Sequence, residues 1–204
     1  MNYILYDSST RNHLLPLVFT RPVADIRIGI LTIREKWELM LKAKTSTLTE
    51  GYLSVKFPLV EAEENLLING SILPTRELVD AIHKLKVGQS LVKGDETLLA
   101  SCLSGESLRS SESSEEGENI EYNGEVTKIY YAWDIFSKNG KAIIDDFALL
   151  TKGRKSAPIS PTNRCVNPEN IFIEEGAKVE FAILNASYGP IYIGKDAEVM
   201  EGAK

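Results

Sequence analysis

The sequence predicts an α/β domain followed by the start of a parallel β-helix. Two observations carry this. Short apolar strands alternate with amphipathic helices between residues 2 and 103, the pattern of a layered fold with some parallel strands. From Phe172 onward the chain repeats itself after twenty residues, and self-similarity at a fixed interval marks a coil. With 204 residues, 43% of them hydrophobic, the chain is long enough to bury a core without disulfides or a structural metal.

The elements follow in order. Residues 2–6 (Asn-Tyr-Ile-Leu-Tyr) form a short buried strand, and a polar turn at 7–11 closes it. Ile28, Leu31, Trp37 and Leu41 recur at helical spacing, so a helix is predicted over 28–42. Residues 52–57 alternate as a strand does, and 65–69 are a second apolar strand. Thr75 caps a helix whose apolar face is Leu78, Val79, Ile82 and Leu85. Strands at 90–93 and 97–103 flank a hairpin turn at Gly94-Asp95. Residues 104–118 hold one apolar residue, Leu108, and read as a mobile acidic loop. Strand character returns over 119–132, residues 133–136 read as a junction, and 139–151 as a helix. A Pro-bearing connector runs from Ala157 to Asn170. The predicted domains are 1–136, a linker with a helix at 137–169, and the first coils at 170–204.

In the repeat, Ile173 matches Ile193, Ala177 matches Ala197 and Val179 matches Val199. The aliphatic residues of each copy are six apart, as in a coil whose flat faces advance by one hexapeptide. Three hexads make eighteen residues, so the interval of twenty predicts a bulge near Asn185–Pro190. A pair of ordinary hairpins is the alternative reading. The chain stops in mid-hexad at Lys204, and a solenoid wants about three repeats and a cap. The expectation is therefore a longer natural protein.

Charge and cysteines exclude several classes. A net charge of −6 provides no global field for nucleic acid or anionic lipid, and no run approaches a membrane span. Cys102 and Cys165 form no CxxC pair. The chain opens without a signal peptide, so the cytoplasm is the expected compartment.

The segment after the first strand is Asp7-Ser8-Ser9-Thr10-Arg11, with Arg21-Pro22 ten residues on. A tight loop between strand and helix aims N–H groups at phosphate, and arginines add charge-assisted bonds. A polar loop with two surface arginines is the other reading of this spacing. The order of strand, Thr-Arg, Pro-Leu and basic residue-Pro resembles the opening signature of sugar-1-phosphate nucleotidyltransferases. The hexads resemble the left-handed β-helix of hexapeptide-repeat acyltransferases. Together they are similar to the bifunctional N-acetylglucosamine-1-phosphate uridyltransferase/glucosamine-1-phosphate acetyltransferases, which work with UDP-N-acetylglucosamine.

The resemblance implies a Rossmann-like nucleotidyltransferase domain followed by the start of a left-handed parallel β-helix. It implies a reaction of nucleoside triphosphate with sugar 1-phosphate, giving nucleotide sugar and pyrophosphate. Arg11 and Arg21 would be the catalytic residues. Asp7, Ser8, Ser9, Thr10 and Asn69 would contact substrate. Mg²⁺ would be the cofactor of an active enzyme, its ligands unassigned; acetyl-CoA would enter only with a longer chain. The partners implied are a nucleotide or nucleotide sugar, a sugar phosphate and, at full length, a homotrimer. Two departures stand in the residues. Tyr6-Asp7-Ser8-Ser9 occupies the place of the family's glycines, and Ser71 follows Gly70 where the family has a metal-binding aspartate. They support an alternative: a catalytically reduced nucleotide-sugar-binding or regulatory domain attached to an acyltransferase β-helix.

Overall fold

The strand expected at residues 2–6 is β1 (Asn2–Tyr6), and it lies inside a six-stranded sheet. The computed structural model describes residues 1–94, 97–110 and 117–204. These divide into two units, Met1–Arg27 with Leu31–Phe136, and Ile28–Ile30 with Ser137–Lys204.

After β1 the chain continues through β2 (Arg27–Ile28), whose Ile28 is assigned to the second unit, and then, in the first unit, β3 (Leu31–Thr32) and α1 (Ile33–Leu41). Helix α1 begins later than the apolar spacing predicts. Gly29 at φ 76° breaks the helical path, and Thr32 supplies the true start. Its hydroxyl accepts from the Glu35 amide at 3.1 Å while the Thr32 amide donates to Glu35 at 2.7 Å, a reciprocal capping box. Next come β4 (Ser46–Leu48) and α2 (Gly51–Ser54). The strand expected over 52–57 is therefore corrected. Its alternation is accidental, and the true strand is the hydroxyl-rich segment just before it.

The strand β5 (Glu64–Asn69) is central, with Leu66 and Ile68 fully buried. After β6 (Ile72–Leu73), helix α3 (Arg76–Ile82) starts at Thr75, whose hydroxyl accepts from the Leu78 amide. The strands β7 (Gln89–Lys93) and β8 (Thr97–Ser104) pair antiparallel as expected; Asp95 of the expected turn lies outside the described residues. The predicted acidic loop needs a correction at both ends. Residues Gly105–Ser110 form α4, and Glu118 opens β9 (Glu118–Glu121); residues 111–116 of that prediction lie outside the described residues. The strand character expected over 119–132 reduces to β9 and β10 (Thr127–Lys128). The expected junction at 133–136 is helical, because α5 (Ala132–Thr151) begins there. Its start is fixed by Asp134, whose carboxylate accepts from the Tyr130 and Tyr131 amides.

The sheet order is β4-β1-β5-β8-β7-β9. Strand β1 is parallel to both its neighbours, β7 runs parallel to β9, and β8 is antiparallel to both β5 and β7. The chain leaves β1 for β4 on one side and returns to β5 on the other. That reversal puts a topological switch point beside the carboxyl end of β1, where open α/β sheets place their ligands. Trp37 of α1 is wholly buried and donates its indole N–H to the Ile72 carbonyl at 2.9 Å.

In the second unit, Gly29 and Ile30 donate to Asn139 and to the buried Asp146. A Cβ at Gly29 would stand 2.5 Å from the Asp146 carboxylate, so the close approach demands glycine. The connector expected at 157–170 carries a strand, β11 (Arg164–Val166). It is followed by β12 (Ile171–Ile173), β13 (Lys178–Val179), β14 (Ile183–Asn185), β15 (Ile191–Ile193) and β16 (Glu198–Val199). They form three parallel pairs, β11 with β14, β12 with β15 and β13 with β16. Ile173 lies against Ile193 and Val179 against Val199, the register read from the repeat. Residues 186–190 stand where the previous turn has 167–170, so the connection in the expected segment is longer by one residue and not by the two that an interval of twenty implies. Ile171, Ile173, Val179, Leu184 and Ile193 fill the interior.

Candidate functional site

Strands β1, β4 and β5 run in one direction, so Tyr6, Leu48 and Asn69 end side by side at one edge of the sheet. The segment Asp7–Val23 crosses this edge. It contains a 3-10 helix, Ser9–Leu14. Five of the seven residues expected to form the site, Asp7 to Arg11, are thus gathered with Asn69 at this edge. Arg21 lies exposed in the same connection.

Asp7 and Arg11 form the frame of that connection. The Asp7 carboxylate accepts from the Val23 amide at 2.8 Å and from the Thr49 hydroxyl at 2.6 Å. Arg11 Nε lies 3.6 Å from it. Burial pushes the Asp7 carboxyl up; the bonds from Thr49 and Val23 and the Arg11 charge pull it back. Arg11 is only 7% exposed. Its guanidinium donates to the Val18 carbonyl at 2.7 Å and to the Tyr52 hydroxyl at 2.6 Å, and Tyr52 donates onward to the Phe19 carbonyl. Both ionic groups therefore hold β1, β4, α2 and the 14–23 segment together.

Two hydroxyls between them have no hydrogen-bond partner. Ser8 Oγ and Thr10 Oγ1 are shielded from solvent and make no hydrogen bond, whereas Arg11 Nε, which makes none either, faces the Asp7 carboxylate as an ion pair. Thr10 is 1% exposed. An orphaned buried polar atom costs about 1–3 kcal/mol, and two within three residues call for an explanation such as a ligand. Each can donate a hydrogen, so the set suits an anion. Ser9 is exposed on the first turn of the 3-10 helix.

Asn69 is 2% exposed, and its amide is spent inside the protein. Its Oδ1 accepts from the Ser71 amide at 3.1 Å and hydroxyl at 2.7 Å, and its Nδ2 donates to the Leu98 carbonyl at 3.1 Å. Tyr6 also donates to Leu98, and burial pushes its phenol up. The residues here do not fit a magnesium site. Asp7 is occupied, Ser71 is neutral and buried, and among the described residues no group of three or more His, Cys, Asp or Glu could hold a metal. Mg²⁺ prefers one or two available carboxylates beside substrate phosphates.

Sequence reasoning missed an aromatic cluster beside this loop. His13 stacks on Tyr130 at 4.5 Å and meets Tyr131 edge-on at 5.3 Å. Tyr131 in turn stacks on Trp133 at 4.4 Å. The Tyr130-Tyr131-x-Trp133 string was the available signal, but His13 is 117 residues away from it in sequence. Lys128 places its ammonium 5.2 Å from the Tyr130 ring, and burial pulls its pKa down. The other histidine, His83, meets Tyr3 at 3.0 Å, in keeping with a structural role. An open cavity of about 420 Å³ lined by Glu61, Glu63, Ser104 and Arg109 lies at the opposite end of β5, far from this chemistry.

Among the described residues, no helix is long and apolar enough to cross a membrane. A family model described as "Sugar nucleotidyl transferase" matches residues 3–155. A Bacillus anthracis protein assigned as a glucose-1-phosphate thymidylyltransferase, solved in complex with a sucrose, shares 10% identity with a TM-score of 0.45. That likeness covers 70% of this chain and 95% of the other. No curated protein matches the chain at a significant level.

Proposed function

The chain belongs to the sugar nucleotidyl transferase family, and from that premise we propose that it joins a nucleoside triphosphate to a sugar 1-phosphate. A phosphate oxygen of the sugar attacks the α-phosphorus. The new P–O bond forms as the α–β anhydride bond breaks, and pyrophosphate leaves. The observation that supports this placement is the pair of orphaned hydroxyls on Ser8 and Thr10 at the carboxyl end of β1. These donors are shielded without ligand, so phosphates engage them as the Ser8–Arg11 turn opens. Ser9 and the exposed Arg21 flank the same phosphates, and catalysis rests on positioning and electrostatics. Arg11 acts mainly by holding the loop, and Asn69 by holding the end of β5. No step is routed through Mg²⁺, because the residues do not fit it. Release of pyrophosphate from UTP or dTTP with a panel of sugar 1-phosphates tests the reading. Release with at least one pair is expected; none with any pair refutes turnover.

A second reading has its own observation. Arg11, Asp7 and Asn69 are all consumed by internal bonds, and Ser71 replaces a carboxylate. This favours a nucleotide-sugar-binding or regulatory domain without turnover, for which binding without pyrophosphate release is the expected result. For the second unit, the three parallel pairs, whose partners lie 19 to 20 residues apart, support the start of a left-handed β-helix of the acyltransferase kind. With it come the cytoplasmic setting, the homotrimer and the UDP-N-acetylglucosamine chemistry of such bifunctional enzymes. Sedimentation checks the trimer: a monomer for the natural full-length protein refutes it.

A further inference from the structure

The geometry points to a nucleobase platform formed by His13, Tyr130, Tyr131 and Trp133, next to the turn proposed to take phosphate. The inference rests on that proposed function and specifies which part of the ligand lies where. Trp133 is 66% exposed, although its indole is the largest side chain of the group. One side of it is covered by the Tyr131 ring, 4.4 Å away and inclined by 18°, which leaves a supported aromatic surface in contact with water. Core packing gives no reason to place an indole there.

The rings are held in advance of any ligand. The Tyr130 and Tyr131 amides both donate to Asp134 Oδ2, at 2.8 and 2.9 Å, which fixes the backbone that carries them. The two rings meet edge-on at 4.6 Å. The Tyr130 hydroxyl lies 3.2 Å from His13 Nε2. Preorganised rings lose little entropy when a planar ligand stacks on them.

His13 connects the platform to the phosphate turn. It follows Thr10 by three residues in one 3-10 helix. Side chains three apart on such a helix eclipse one another, with a rise of about 6 Å. The buried, unpartnered Thr10 hydroxyl and the exposed His13 of the aromatic cluster are therefore one turn of this helix apart. A ligand that uses both needs a flat π-surface and an anion a short distance apart. A nucleotide has both. A sugar 1-phosphate has the anion and no π-face.

The two tryptophans make the test direct. Trp37 is wholly buried and Trp133 is exposed, so quenching of emission by an added base reports Trp133. The chain is titrated with dTTP, UTP, tripolyphosphate and glucose 1-phosphate, by fluorescence and by calorimetry, as wild type, Trp133→Ala and Trp133→Phe. Stacking lost on truncation to alanine corresponds to about tenfold or more in affinity. The expected result is quenching by the nucleotides, lost in Trp133→Ala together with about tenfold in nucleotide affinity. Tripolyphosphate affinity stays unchanged, and Trp133→Phe recovers most of the loss. Unchanged nucleotide affinity in Trp133→Ala overturns the platform and leaves the proposed function standing. So does a selective loss of glucose 1-phosphate affinity, which would make the platform a sugar site. Absence of nucleotide binding in the wild type overturns the proposed function, and the platform with it.

Discussion

Replacing Arg11 with methionine separates its structural role from any role toward ligand. The perturbation keeps the side chain's length and removes the guanidinium. Two charge-assisted bonds are lost, to the Val18 carbonyl at 2.7 Å and the Tyr52 hydroxyl at 2.6 Å. The Asp7 carboxylate also loses its neighbouring cation. Hydrogen bonds to charged groups are worth about 1.5–3 kcal/mol each, and breaking a buried pair costs about 3–5 kcal/mol. Asp7 keeps its bonds from Val23 and Thr49, so we expect the low end, about 3 kcal/mol. At a urea slope of about 2 kcal/mol/M this moves the midpoint down by about 1.5 M. The assay is urea unfolding of the ligand-free protein followed by tryptophan emission. Both Trp37 and Trp133 belong to the first unit, so the signal reports the unit that Arg11 holds. The exposed Arg21→Met serves as control and should stay within about 0.5 kcal/mol. Equal, small effects of the two substitutions would refute the argument and return Arg11 to the role of a ligand-facing cation.

Three further outcomes follow from the same structure. Trp37→Phe orphans the Ile72 carbonyl and leaves a small void, so it should cost about 2 kcal/mol in the same urea assay. Gly176→Ala should cost about 1–2 kcal/mol in thermal unfolding of the second unit, because Gly176 sits at φ 84° with the Asp196 carboxylate against it. Glu174 accepts from Tyr192 and Arg154, which hold its carboxyl down at about 2. A depressed carboxylate contributes stability above its ordinary pKa that is lost as pH falls from about 4.5 toward 2. Glu174→Gln should therefore melt lower than wild type at pH 7, with the gap closing by pH 2 to 3; a gap independent of pH contradicts the assignment.

Much of the framework was legible in the sequence because periodicity encodes it. β1 and β5 each carry an apolar run, Tyr3–Tyr6 and Leu66–Ile68, and α3 announces itself by Thr75 and its apolar stripe. The register of β12 with β15 could be read from residue identities alone. The misses have physical causes. β4 is Ser-Thr-Leu, with no hydrophobic run, and is a strand because β1 pairs with it. Helix α4 forms in a polar segment whose composition argued for a loop. The start of α5 depends on Asp134 capping amides that no spacing rule marks. For the candidate site, Thr10-Arg11 and Arg21-Pro22 marked in the sequence the connection that follows β1. That Arg11 and Asn69 are turned inward was not, because their partners Val18, Tyr52 and Leu98 meet them only in the fold. The His13–Tyr130 contact was hidden for the same reason.

The central claim is that the Ser8–Arg11 turn holds the phosphates of a nucleotide, and Thr10→Val tests it most directly. The substitution keeps the shape and removes a hydroxyl that is buried without a partner. If that hydroxyl exists for ligand, the ligand-free variant should be more stable than wild type by about 1 kcal/mol. Calorimetric titration with dTTP and UTP should then show about tenfold weaker binding of whichever nucleotide the wild type prefers. Equal affinity in the two proteins, or no binding of either nucleotide to the wild type, would contradict the account.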